Sequence, residues 1–140
     1  MKYRKVYQKT HDIDWFFRYQ GNIYHAASNG GILPDLVDSE KNRILQENLE
    51  DVVGRFPVIF ADNVNDIYGQ DGDLSSFAEY ASKGFISLDR TEFDGEEEEE
   101  HMDDIQRYHI VASPGNDGRF DNQELLRLIP ELRAGDIIIE

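Results

Sequence analysis

The chain has 140 residues, of which 39% are hydrophobic and 11% aromatic, and it contains no cysteine. It carries 29 Asp and Glu against 14 Lys and Arg, a formal net charge of −15. The length predicts one domain, and the aromatic content argues against global disorder. The lack of thiols excludes a disulfide framework, a thiolate nucleophile and a thiolate metal site.

The amino terminus is basic but lacks the apolar stretch that follows in a secretion signal, and the apolar runs are too short to span a bilayer. We therefore expect a cytoplasmic protein that does not contact a membrane.

The first part of the chain predicts two strands and a hairpin. Residues 3–7 alternate weakly, which indicates a short strand. Residues 13–19 alternate clearly, with Trp15 on one face and Phe16 on the other. Gly21-Asn22 suits a two-residue turn, after which residues 23–28 return. This register places Tyr19 opposite Tyr24, and Arg18 opposite His25.

The middle of the chain predicts two helices. The first is capped by Asp38 or Ser39 and runs to about Val53, with a stripe of apolar residues at helical spacing. Residues 56–61 predict a short buried strand, and 62–73 a polar loop. The second helix begins between residues 73 and 76 and ends at Gly84.

The last part predicts strands at 85–90, 105–112 and 137–139, with a helix after a cap at Asp121. Between the first two strands, 94–104 holds eight carboxylates and no Lys or Arg. We expect an exposed or disordered acidic loop at about 93–104. The sum is a single α+β domain over 1–140, a mostly antiparallel sheet of five to seven strands with two or three helices packed on one face.

The charge is distributed unevenly along the chain. Residues 1–34 carry five basic and two acidic side chains, whereas residues 35–140 carry nine and 27. Such a field repels nucleic acid and anionic membranes and attracts basic partners. We predict an acidic protein-interaction domain, of the immunity type or a nucleic-acid mimic, that binds a basic protein. Its predicted partner-binding residues are Glu96, Glu97, Glu98, Glu99, Glu100, Asp103 and Asp104.

The aromatic hairpin supports a different hypothesis, a small enzyme or ligand-binding domain with its site over residues 13–28. At period two these aromatic residues are also typical of a core. Phe16 points away from the Trp15 face, so either both faces are covered or one aromatic is exposed for binding. The candidate ligand-binding residues are Trp15, Phe16, Arg18, Tyr24 and His25.

A third hypothesis is a calcium-binding module in the polar loop 62–73, because calcium prefers hard oxygen ligands. The EF-hand pattern fails here, since Ser76 and Ser82 stand where Gly and Glu are needed. The candidate ligands are Asp62, Asp66, Asp71 and Asp73, residues that turns and helix caps also use. The sequence has no phosphate-binding loop and no nucleophile elbow. It therefore indicates no reaction and no cofactor, and it does not predict the oligomeric state.

Overall fold

The computed structural model describes residues 1–91 and 105–140. The chain begins with α1 (Lys5–Thr10), which is followed by the hairpin β1 (Asp14–Tyr19) and β2 (Asn22–Ala27). The strand predicted at 3–7 is wrong, because that segment leads into α1. Tyr3, Tyr7 and His11 lie at helical spacing and stack, with ring centroids 5.7 and 3.9 Å apart.

The hairpin forms where the alternation predicts it, but its register differs from the predicted one by two residues. Tyr19 pairs with Asn22, and Phe17 with Tyr24. The turn is Gln20-Gly21, in which both residues have positive φ (49° and 81°). That geometry corresponds to the type I′ turn, which suits the twist of a hairpin. Arg18 therefore lies opposite Ile23 rather than His25.

After the hairpin, α2 (Ser39–Leu49) begins at an Asp38 cap whose side chain accepts a hydrogen bond from Lys41 N at 2.9 Å. The helix stops at Leu49, short of the predicted end. Next come β3 (Val58–Phe60), α3 (Val64–Tyr68) and α4 (Ser75–Ser82). The loop predicted at 62–73 thus contains a helix.

The remaining elements follow the predicted order. They are β4 (Ile86–Arg90), β5 (Arg107–Pro114), α5 (Gln123–Leu126) and β6 (Ile138–Ile139). The cap of α5 is Asn122, not Asp121: its side chain accepts from Leu125 N at 3.1 Å. None of the helices in the described ranges is long and apolar enough to span a membrane.

The strands form one sheet in the order β1-β2-β4-β5-β3, with β6 also paired to β5. The α+β class is confirmed, but the sheet is mixed rather than mostly antiparallel. The pairs β2–β4 and β5–β6 run parallel. A parallel pair needs a crossover connection, and the segment between β2 and β4 supplies it with α2, α3 and α4.

Both faces of the sheet are covered. On one face Trp15, Phe17, Leu88 and Tyr108 pack with side chains from 33–37 and 132–137. On the other, Phe16 packs against Leu45 and Leu49 of α2 and Tyr80 of α4. The strand predicted to be buried at 56–61 is instead an edge strand, with Ile59 56% and Phe60 43% exposed.

Candidate functional site

The structure places the five candidate ligand-binding residues of the hairpin on both faces of the sheet. Trp15 and Tyr24 share one core, while Phe16 belongs to the other. Trp15, Phe16 and His25 have no exposed surface. Phe16 is therefore not exposed for binding, and the sheet is covered on both faces. The five side chains therefore do not converge on one pocket.

His25 stands in a hydrogen-bonded chain of the Ser–His–Asp type. Its Nε2 lies 2.8 Å from Asp14 Oδ1 and its Nδ1 lies 2.9 Å from Ser87 Oγ. Because a carboxylate only accepts, Nε2 donates to Asp14, and in that tautomer Nδ1 accepts from Ser87. The geometry matches a nucleophile, a base and an orienting group.

Burial rules out a catalytic role for this Ser–His–Asp chain. Ser87 and His25 are both 0% exposed, so no substrate can reach the hydroxyl oxygen. The ring of Tyr80 covers His25 with its centroid 4.0 Å away. Since Asp14, His25 and Ser87 belong to β1, β2 and β4, the chain links three strands by satisfied polar contacts.

The four calcium candidates, Asp62, Asp66, Asp71 and Asp73, lie exposed on and around α3. Asp73 Oδ1 accepts a hydrogen bond from Ser75 N at 3.0 Å, which supports the start of α4. In the part of the chain that the structure describes, no three His, Asp or Glu side chains are grouped as a metal ion would need. Calcium binding stays a prediction.

The seven predicted partner-binding residues, Glu96–Glu100, Asp103 and Asp104, lie outside the described residues. The positions that flank them are described. The segment 92–104 joins β4 to β5, two neighbouring strands inside the sheet. Thr91 N donates a hydrogen bond to Arg107 O at 2.8 Å, so the pairing of β4 with β5 continues to the residue just before the segment.

A second polar cluster, which the sequence did not reveal, lies at the ends of β4 and β5 that flank the segment 92–104. Tyr68 of α3 donates its hydroxyl proton to Asp89 Oδ2 at 2.6 Å, and the hydroxyl oxygen of Tyr68 also lies 2.7 Å from His109 Nε2. Thr91 Oγ1 lies 3.0 Å from His109 Nδ1. Asp89 and His109 are direct partners in the β4–β5 ladder, so the strand register itself sets their distance.

The proton positions in this cluster follow from the chemistry of its members. The single phenolic proton of Tyr68 goes to Asp89, so Nε2 of His109 carries the proton that it donates to the phenol oxygen. Nδ1 of the neutral ring then accepts from the Thr91 hydroxyl. Burial raises the pKa of Asp89, and burial lowers the pKa of His109. Both shifts favour the uncharged forms.

The cluster borders a cavity of about 440 Å³. This volume is in the range of small-molecule sites. Its lining residues are Asn29, Ile67, Tyr68, Asp89, Arg90, Thr91 and His109. The available sequence signal was the presence of an aspartate and a histidine inside two strands that otherwise alternate apolar residues. Nothing in the sequence indicated that Tyr68 would lie against them.

Comparison with known proteins gives no relative. No protein-family model matches the chain, and neither a curated protein nor a solved structure does.

Proposed function

We propose that this protein is an acidic interaction domain that binds a basic protein partner through the segment 92–104. One observation carries the proposal. The 13 residues of this segment hold nine carboxylates and no Lys or Arg. The described residues, by contrast, carry 14 Lys and Arg against 20 Asp and Glu. Most of the net charge therefore belongs to a single connection.

The place of this connection in the fold supports the proposal. Its two ends are held by β4 and β5, and backbone hydrogen bonding closes the strand pair at Thr91 and Arg107. A dense row of carboxylates at such a place can meet Lys and Arg side chains much as the phosphates of a nucleic acid do. Opposite charges also speed the encounter of two proteins.

The partner that fits this chemistry is a basic protein, such as an enzyme that cleaves nucleic acid, which an immunity-type inhibitor or a nucleic-acid mimic would block. The chain has no cysteine, which suits a reducing compartment, and we place the interaction in the cytoplasm.

The test compares two variants with the same change in net charge. In the segment variant, Glu96 to Glu100 become Gln. In the control variant, five exposed carboxylates of the α2 region are neutralised: Asp35→Asn, Glu40→Gln, Glu47→Gln, Glu50→Gln and Asp51→Asn. Affinity capture at low salt from the source lysate supplies the partner, and the dissociation constant is then measured for each variant over a range of salt.

We expect a basic partner whose affinity for the wild type falls steeply as salt rises. Exposed ion pairs contribute about 0.2–1 kcal/mol each, so the loss of five carboxylates should weaken binding of the segment variant at least about fivefold. The control variant should lose much less. Equal affinities for the two variants, or a partner that binds independently of salt, would contradict the proposal.

A further inference from the structure

The cavity lined by Tyr68, Asp89 and His109 forms a cleft whose charge and aromatic walls the segment 92–104 does not explain. We propose that it is a separate binding site for a cationic group, a guanidinium or a primary ammonium on a short alkyl chain, with Asp89 as the counter-charge and Tyr68 as an aromatic wall. The residues named for this site are all among the described ones, and the proposal goes beyond the proposed function.

The charge balance of Asp89 is the first argument. Its carboxylate is partly buried, and in the described ranges it makes no ion pair with Lys or Arg. The nearby Arg90 guanidinium instead donates to Asn29 O at 3.0 Å and approaches Gln106 Oε1 at 3.4 Å. The raised pKa of Asp89 reflects the cost of this burial. A cation bound in the cleft would stabilise the charged form.

The neighbouring histidine does not supply that cation. Burial lowers the pKa of His109, so the ring is neutral around pH 7. Its protonated nitrogen, Nε2, faces Tyr68, and Nδ1 accepts from Thr91. The hydrogen bonds inside the cluster thus fix the carboxylate in position without neutralising it.

The walls of the cleft suit a flat or compact cation. Tyr68 and His109 present aromatic rings whose centroids are 6.0 Å apart and tilted by 39°. Cations bind favourably over such rings, most of all where water is partly excluded. Ile67, 47% exposed, adds apolar surface for an alkyl chain. The formal net charge of −15 further favours a cationic ligand over an anionic one.

The same chemistry could be offered by a free small molecule or by a Lys or Arg side chain of a protein. Two probes separate these sources. Agmatine presents a guanidinium and a primary ammonium at the two ends of a short alkyl chain, and the capped peptide acetyl-Gly-Arg-Gly-amide presents a guanidinium attached to a backbone. Binding of the peptide at least as tight as that of agmatine supports a protein side chain as the ligand, and binding of agmatine alone supports a small molecule.

The measurement is a titration of the full chain, followed by NMR signals of the His109 and Tyr68 rings and by calorimetry. Agmatine should produce saturable shifts of both rings. Asp89→Asn keeps the size of the side chain and an acceptor for Tyr68, and it should weaken binding at least about tenfold, because the charge-assisted contact is lost. The matched control Asp51→Asn removes an exposed charge outside the cleft and should bind as the wild type does.

A second measurement on the wild type does not depend on the fold of a variant. As the pH falls, protonation gives His109 a positive charge and removes the negative charge of Asp89, and both changes disfavour a bound cation. Asp12 is the other carboxylate that acts on Asp89, and Glu140 is the other carboxylate that acts on His109. Agmatine affinity should therefore fall as the pH falls.

Three results would overturn the inference: no saturable shift with either probe, equal affinity of wild type and Asp89→Asn, or affinity independent of pH. The segment variant with Gln at 96–100 should still bind agmatine. Cation binding in the cleft can therefore be disproved while the proposed partner binding holds, and partner binding can be disproved while cation binding holds.

Discussion

The hydroxyl of Ser87 is the donor on which the buried imidazole of His25 depends. Replacing it by Ala leaves Nδ1 of His25 without a partner in a place that water does not reach. A buried polar group left unsatisfied costs about 1–3 kcal/mol, so Ser87→Ala should lower the free energy of unfolding by that amount. Urea denaturation measures it.

The matched control for this prediction is Ser76→Ala, which removes an exposed hydroxyl from α4. We expect a change within about 0.5 kcal/mol. If the two variants were equally stable, the Ser–His–Asp chain would contribute nothing measurable to the fold.

His109 predicts a pH dependence of stability. Its pKa is lower in the folded state than the ordinary value of 6.5, so the unfolded chain takes up this proton first as the pH falls. The contribution of the neutral ring is complete above that value and is lost progressively below it. The free energy of unfolding should therefore fall more between about pH 7.5 and about pH 5.5 in the wild type than in His109→Gln.

The wild type and His109→Gln are compared in the same buffers over this pH range, so that other titrating groups contribute equally to both. A His109→Gln variant that loses as much stability as the wild type would mean that the protonation of this ring is not coupled to folding.

The residues of the cleft show which part of a site a single sequence can predict. Strand alternation places Asp89 and His109 on defined faces of β4 and β5, but it does not say that these strands are neighbours in that register. Tyr68 comes from a segment that its Asp and Asn content made typical of a loop. Contacts between distant segments depend on the packing of the whole sheet, and local patterns carry no information about it.

At the scale of elements, the sequence predicts which face of the hairpin each residue occupies but not its cross-strand partner. Alternation fixes only whether a residue faces one side or the other, and a register shift of two residues changes no face. Trp15 and Phe16 were therefore placed correctly. A glycine can occupy either turn position, so the sequence did not distinguish a Gly21-Asn22 turn from the observed Gln20-Gly21 turn, and the cross-strand partners were wrong.

Gly84 ends α4 as predicted, and the structure adds a reason that the sequence could not show. Its φ is +107°, and the backbone of Arg119 and Phe120 lies where a β-carbon would be. Gly84→Ala should therefore cost about 3 kcal/mol or more, from left-handed strain together with overpacking.

The comparison for Gly84 is Gly21→Ala. Gly21 has a φ of +81°, and no atom of another part of the chain lies within 4 Å of the position that a β-carbon would take, so only the conformational cost of about 1 kcal/mol applies. Thermal and urea unfolding of both variants measure the difference. Equal destabilisation would show that the chain relaxes away from Gly84 at no cost.

At the scale of the whole molecule, composition and strand count were enough for the α+β class, and the direction of the strands was not. The return of β4 beside β2 in parallel depends on the long connection that carries α2 and α4 across one face. The edge position of β3 is also a property of the complete sheet. Its apolar sequence predicted burial, although one side of the strand has no strand neighbour among the described residues.

The net charge of −15 also acts on the folded state as a whole. Like charges repel more strongly when the chain is compact, and this repulsion has a long range at low salt and a short one at high salt. The segment variant with Gln at 96–100 should therefore melt a few degrees above the wild type in low salt. The two melting temperatures should converge near 1 M salt, where the Debye length is about 3 Å.

The α2 control variant makes the same charge change at carboxylates in and around α2, some of which have local roles. Glu47 pairs with Arg43 at 3.0 Å, and Glu40 lies in the first turn of α2, where a negative charge is favourable. Its gain in melting temperature should therefore be smaller than that of the segment variant. A segment variant that melts at or below the wild-type temperature in low salt would mean that these glutamates stabilise the folded chain by contacts of their own, which would leave fewer of them for a partner.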